Sequence, residues 1–362
     1  MMKKVLVWIL CAGLLFGSIA CADDMTLTLP ADAVSAPETE NAGAADSGAG
    51  ERWFVFNPKV RCDYMDEMFP GAMAETWYNL VDAVMAGEDT FACETKLLYD
   101  WVTGQFPDRY FPVLVDIIDP AAGGMVGDGV AKIGYKVSRE ESAKAISGFI
   151  ALVEDIVNTA VQPYYTDLEK ALSLYLYFSK KYVYDYDTYY QMNSQYLEYI
   201  SACRLLTGGT GICQEISAAY SYLLMQVGVS ATIMMGDSAL TGEGHQWSYV
   251  RLNGKNYHID PTYALSDPGT LEFFMMSDKK RAEEYPPEEY VVGSNFSTVY
   301  PHPDYRADDD SLAPLWHTRL ISFDHDAGIM HCLYHDLEGN SHYVDFSYSN
   351  TEGVHLIPGS VQ

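Results

Sequence analysis

Residues 208–220 read "GGTGICQEISAAY": a glycine-rich turn, one cysteine, then a run with helical spacing. Three readings fit a thiol placed there: a disulfide half, a small apolar filler, or a nucleophile. Thr210 is a good N-cap, which predicts a helix from about Cys213 to Val227. Its buried side carries Ile216, Tyr220, Leu223, Leu224 and Val227, and Gly228 stops it. Cys213 then lies in the first turn, where unpaired N–H groups and the helix dipole favour an anion such as a thiolate. Glu215 carries the same sign and opposes this, weakly if it faces solvent. Gly208, Gly209 and Gly211 leave the backbone open to a close approach. The N–H of Cys213 can donate to an oxyanion.

Further on, "HQWSYVRLNGKNYHIDPTY" (245–263) reads as two strands around Asn253-Gly254, a strong hairpin signal. A two-residue turn pairs Leu252 with Lys255. Counting outward, Trp247 faces Asp260 and His245 faces Thr262. Alternation puts His245, Trp247, Tyr249, His258, Asp260 and Thr262 on one face. His245 and Asp260 are then diagonal neighbours, roughly 7–8 Å apart at the backbone and within reach of a hydrogen bond. Register alone therefore supplies the base and orienter that a weak nucleophile needs. His258 shares that face, as a rival base or as a packed structural residue. His245, His258 and Asp260 are suitable metal ligands, but no second metal motif supports them. "DHDAG" (324–328) fails the spacing of a calcium loop. No cofactor motif is found.

The order G-I-C (211–213), G-H-Q-W (244–247) and Y-H-I-D-P-T (257–262) resembles the transglutaminase-like superfamily, cysteine enzymes of papain-like architecture. The likeness spans about 164–280 and includes the preceding helix, "YVYDY" and "LEFFMMSD". It implies an α+β fold in which a helix carrying the cysteine packs on an antiparallel sheet bearing histidine and acid. It also implies Cys213 as nucleophile, His245 as base and Asp260 as acid. Gln246-Trp247 follow His245 where a small residue and Trp are commoner. Family members place an aromatic or amide side chain beside the cysteine N–H. No glutamine lies just upstream of Cys213, which leaves Tyr182, Tyr184 and Gln191 as oxyanion candidates and Trp247 as a further substrate contact. The implied chemistry is acyl transfer on a protein or peptide amide: water as acceptor gives hydrolysis, an amine gives cross-linking. The alternative is a catalytically silent surface module, for binding or assembly, that retains the fold.

The rest of the chain sets this core in context. The 362 residues carry a formal charge of −28, which argues against nucleic acid and against electrostatic docking on anionic lipid. Lys3 and Lys4, an apolar run and Ser18-Ile19-Ala20-Cys21 read as a signal segment (1–20). Either Cys21 is lipidated, which anchors the protein to a membrane at the cell surface, or cleavage follows Ala20-Cys21-Ala22 and the chain is freely secreted. Residues 21–51 are too poor in large apolar groups to order themselves and read as a tether. An N-terminal α/β region (52–162), the core (163–285) and a β-rich extension (286–362) follow, and a monomer is expected. In the first, "YFPVLVDII" (110–118) reads as a strand, Asp128-Gly129 as a hairpin turn and Ser138 as the start of a capping box. Thr166 opens a second capping box. A three-strand meander is expected in 316–348. Past the leader, Cys62, Cys93, Cys203, Cys213 and Cys332 remain, an odd number that allows Cys62–Cys93 or Cys203–Cys332 but leaves one thiol single. The tyrosine-dense "YVYDYDTYYQMNSQYLEYI" (182–200) either lines a groove or covers the rim of the core.

Overall fold

Trp77, Leu80, Val81 and Val84 share one stripe of a helix, and all four are buried. They belong to a computed structural model that describes residues 52–69, 71–192, 200–237, 244–284, 290–292, 298–300, 305–336, 338–349 and 351–361. The expected signal segment, the tether and Cys21 lie outside the described residues, as does 193–199 of the tyrosine-dense run. Among the described residues the first helices are α1 (Asp63–Met68) and α2 (Gly71–Ala86). Gly87 takes a φ of 72° and ends α2 as a left-handed stop. Then come β1 (Thr90–Ala92), α3 (Lys96–Gly104), α4 (Phe106–Tyr110) and α5 (Leu114–Ile117). The stretch 110–118, expected as a strand, is thus mostly helical. Its apolar residues are buried without alternation, a pattern that fits either element, and tertiary packing decides for two short helices. β2 (Gly124–Gly127) and β3 (Val130–Lys132) form the expected hairpin and, with β1, a sheet in the order β1-β3-β2.

Two capping boxes start the next two helices. Ser138 and Glu141 cap α6 (Arg139–Ala160), and Thr166 and Glu169 cap α7 (Asp167–Lys181). After α7 the chain forms β4 (Val183–Tyr184), α8 (Tyr186–Met192), α9 (Ala202–Gly208), β5 (Thr210–Gly211) and α10 (Cys213–Gln226). All of α10 except Gln214 is buried, so the one-sided apolar stripe was too narrow an expectation. Ser217 and Ser221, short enough for close packing, seat it on the sheet: the Ser221 hydroxyl donates to the Thr232 carbonyl (2.9 Å) and Ser248 Oγ to the Ser217 carbonyl (3.1 Å). That sheet is built from β6 (Ser230–Asp237), β7 (Gly244–Leu252), β8 (Lys255–Ile259), β9 (Tyr290–Val292) and β10 (Thr298–Tyr300). Its order is β10-β9-β6-β7-β8, antiparallel throughout. Leu252 faces Lys255 and Ser248 faces Ile259, as the Asn-Gly turn demands. Pairing stops there. Pro261 cannot donate to a ladder, and the chain turns into α11 (Pro261–Ala264) and later α12 (Asp278–Glu284).

The meander expected in 316–348 forms as β11 (Thr318–Asp324), β12 (Ile329–His335) and β13 (Ser341–Ser349), and β14 (Gly353–Leu356) beyond it extends the sheet to four strands. This C-terminal sheet docks on α7 through the buried Glu169 carboxylate, which accepts from Tyr348 Oη (2.5 Å) and bonds His325 Nδ1 (2.9 Å). One hydrophobic cluster runs from Phe54 to Val354. The five described cysteines are all free and buried, so neither pairing considered above forms.

Asn253 and Gly254 both hold positive φ, 51° and 77°. Gly254→Val should destabilise the protein by about 1–2 kcal/mol, while Asn253→Gly should be close to neutral. Urea midpoints at constant slope measure both. Equal stability of wild type and Gly254→Val would mean that this turn does not set the hairpin.

Candidate active site

The start of the cysteine helix is shaped by a buried charge cluster. A Cβ at Gly211 would lie 2.9 Å from Leu205 Cδ1 and 3.0 Å from Glu215 Oε2, so glycine lets the chain pass close to the cluster without displacing either side chain. Thr210 belongs to β5, not to the helix cap. The N-cap position is Ile212, which has no capping side chain, and Glu215 does the work from inside the helix. Glu215 Oε2 accepts the Ile212 N–H (3.0 Å) and Oε1 accepts the Ser201 N–H (3.1 Å). The Glu215 side chain has no exposed surface, so the condition for a weak effect on the thiolate, that it face solvent, is not met. Its charge is offset by Arg204, whose Nε and Nη2 donate at 2.7 and 2.5 Å, while Nη1 donates to Asp185 Oδ2 at 2.9 Å. Arg204 therefore clamps Asp185, and with it the preceding Tyr184, to the first turn that holds Cys213. β4 and β5 reinforce this as a two-residue parallel pair.

From the other side, Gln246 Nε2 donates to the Gln214 carbonyl (2.9 Å) and Ser217 Oγ (2.8 Å), which fixes β7 against the same turn. The neighbouring His245 then meets the cysteine: the Cys213 thiol is hydrogen-bonded to its imidazole. His245 Nε2 lies 2.7 Å from Asp260 Oδ2, leaving Nδ1 for the sulfur. Asp260 has no exposed surface. It caps α11 through the Thr262 N–H (3.2 Å), and Arg281 Nη1 approaches it at 3.4 Å. The expected Thr262 partner across from His245 does not form, because β8 has already ended. Burial alone would depress the His245 pKa, but the Asp260 carboxylate outweighs it and raises the value to about 9. Burial pushes Asp260 up, yet His245 and Arg281 hold its carboxyl below the usual range. At neutral pH the ring beside the sulfur is therefore an imidazolium.

The remaining candidates divide. The Tyr184 hydroxyl reaches both the N–H and the thiol of Cys213, and burial together with the sulfur pushes its pKa up, so it stays a donor. Tyr182 is buried against Phe178, with ring centroids 4.7 Å apart, and belongs to the core. Gln191 sits exposed on α8. Trp247 is 1% exposed, so it does not line a groove. Its ring lies 5.8 Å from that of His245 and 4.2 Å from the Arg281 guanidinium, and it backs the histidine from inside the protein. His258 is no rival base. Its Nδ1 accepts from Trp247 Nε1 (2.9 Å), so Nε2 carries the hydrogen and donates to Asp278 (3.0 Å). Burial lowers its pKa, and the ring is neutral. Sequence reasoning missed Arg204 and Arg281; neither lies at a motif spacing, and only the fold brings them to Glu215 and Asp260.

With that geometry in view, residues 150–261 match the family model of the transglutaminase-like superfamily. This chain has a transglutaminase-like core. Solved structures similar to it include one described as a TGase, 16% identical over 37% of this chain and 40% of that one, with a TM-score of 0.29. Another is a proposed cysteine protease from Cytophaga hutchinsonii, 13% identical over 40% and 46%, TM-score 0.27. A third is LapG of Legionella pneumophila, 13% identical over 44% and 78%, TM-score 0.29. The chain spans less than half the length of the first two. No curated protein matches it significantly.

The raised His245 pKa makes a direct prediction: its ring protons should titrate near pH 9 by NMR, and Asp260→Asn should move that titration below the ordinary 6.5. A value raised on folding stabilises the native state fully below pH 6.5, and this contribution is lost as pH rises through about 9. Titration near 6.5 in the wild type would contradict the ion pair.

Proposed function

We propose that the chain is a cysteine acyl-transfer enzyme acting on protein or peptide amides. The observation that carries this reading is the hydrogen-bonded series Cys213–His245–Asp260 at the start of a buried helix. The sulfur attacks the carbonyl carbon and forms a tetrahedral adduct. Imidazolium 245 protonates the departing ammonia or amine as the thioester forms, then takes a proton from the acceptor that releases the acyl group. Asp260 orients the ring and favours its charged form. The Cys213 N–H and the Tyr184 hydroxyl are the two donors closest to the developing oxyanion. Water or an amine serves equally as acceptor in this scheme. Export and lipid anchoring through Cys21 form part of the same proposal, supported by the basic, apolar and small-residue order of the leader.

Burial pushes the Cys62 thiol up to about 12 and Cys332 to about 11. Iodoacetamide near neutral pH should therefore label Cys213 at least 100-fold faster than either, as read by peptide mass spectrometry. Cys213→Ala should abolish turnover and the thioester trapped from a peptide library. Tyr184→Phe should lower kcat about 100-fold while leaving the labelling of Cys213 within a few-fold. Equal labelling of all the thiols together with no turnover by the wild type would favour the non-catalytic surface module instead, and turnover by Cys213→Ala would rule out Cys213 as the nucleophile.

A further inference from the structure

A row of tyrosine rings leads away from the nucleophile. Tyr184, in contact with Cys213, has its ring 4.9 Å from that of Tyr186 and 6.1 Å from that of Tyr189, and Tyr189 lies 5.6 Å from Tyr190. The row begins half-buried and ends in the open: Tyr186 is 62% exposed, Tyr190 66% and the adjoining Val183 62%. Rings of this size normally bury most of their surface, and a contiguous exposed patch of them marks a contact surface. Among the described tyrosines of the run, Tyr182 is buried in the core and Tyr184 packs against its rim.

The backbone beside these rings suits an extended chain. In the parallel pair β4–β5, Val183 N donates to the Gly209 carbonyl (3.1 Å) and Asp185 N to the Gly211 carbonyl (3.0 Å). Tyr184's own N–H and C=O therefore point away from β5, along the outer edge of β4. An extended peptide advances about 3.3 Å per residue. Rings 4.9–6.1 Å from Tyr184 thus fall opposite side chains one or two residues from a carbonyl held at Cys213. Charge narrows the choice of side chain. Arg204, the guanidinium on this side, already bridges Asp185 and Glu215, and the exposed Asp187 adds negative charge. An acidic side chain is disfavoured there; an apolar one loses nothing.

We propose that Tyr184, Tyr186, Tyr189 and Tyr190 form a subsite for an aromatic or large aliphatic side chain that flanks the reactive carbonyl of an extended peptide. This rests on the acyl-transfer reading for its substrate, but binding tests it without turnover. Cys213→Ala in the full chain is titrated, by fluorescence anisotropy, with labelled glutamine peptides carrying Phe, Gly or Asp on both sides of the glutamine. The Phe peptide should bind about three- to tenfold tighter than the Gly peptide, and the Asp peptide more weakly than either. Adding Tyr186→Ser and Tyr190→Ser, both at exposed positions, should erase the preference, with circular dichroism confirming an unchanged fold. Equal affinity for the Phe and Gly peptides, no binding of any of them, or a preference that survives the serine substitutions would overturn the proposal. Turnover by the wild-type chain is read in parallel. Preference without turnover would sink the enzymatic reading and leave the subsite, whereas turnover without preference would do the reverse.

Discussion

A carboxylate with no contact to water must be repaid in charge and hydrogen bonds, or it takes up a proton. Asp260 is in that position, and its compensation is the His245 ring at 2.7 Å with Arg281 behind at 3.4 Å. Everything distinctive about the site follows from this. The buried anion holds a proton on the imidazole that burial would otherwise remove. The protonated ring then faces the sulfur at a helix N-terminus, where the backbone already favours negative charge. Trp247 closes the arrangement by covering His245 and the guanidinium from the inner side, and His258 locks the indole through its N–H.

The same device recurs on the opposite side of the cysteine. Glu215 is equally buried and is held by Arg204, as Asp260 is approached by Arg281. One pair steadies the base; the other steadies the helix start and the segment bearing Tyr184. Buried ion pairs add little net stability, and loss of one partner leaves an uncompensated charge. Their value here is placement: each carboxylate ties a donor from its own turn, Ile212 in one case and Thr262 in the other, to a donor from a separate element, Ser201 or His245.

Much of this was legible in the sequence because local rules governed it. The Asn253-Gly254 turn admits one register, and that register brings residues 245 and 260 together. Both capping boxes set helix starts by the same local logic. The misses share a cause of another kind. Residues 110–118 are apolar on every side, so period could not separate strand from helix. Thr210 is a good cap in isolation, but strand pairing with β4 claims it and Glu215 caps from within. Trp247 lies on the expected face of its strand, yet that face is covered by α12 and its arginine. In each case a long-range contact outweighed a local preference, and one sequence read alone contains no register for such contacts.

Tyr184 shows how substrate and scaffold compete for the same donors. In the free protein its hydroxyl is spent on the N–H and thiol of Cys213. An oxyanion forming on the carbonyl bound to that sulfur needs both the N–H and the hydroxyl. In the acyl transfer proposed above, the hydroxyl would exchange the N–H it accepts for the oxyanion it donates to. The clamp of Arg204 on the adjacent Asp185 keeps the backbone fixed while the hydroxyl changes partners. In that proposed reaction charge develops on the oxygen only as the carbon–sulfur bond forms, so the exchange would strengthen binding in the transition state more than in the ground state, the condition for accelerating the chemical step.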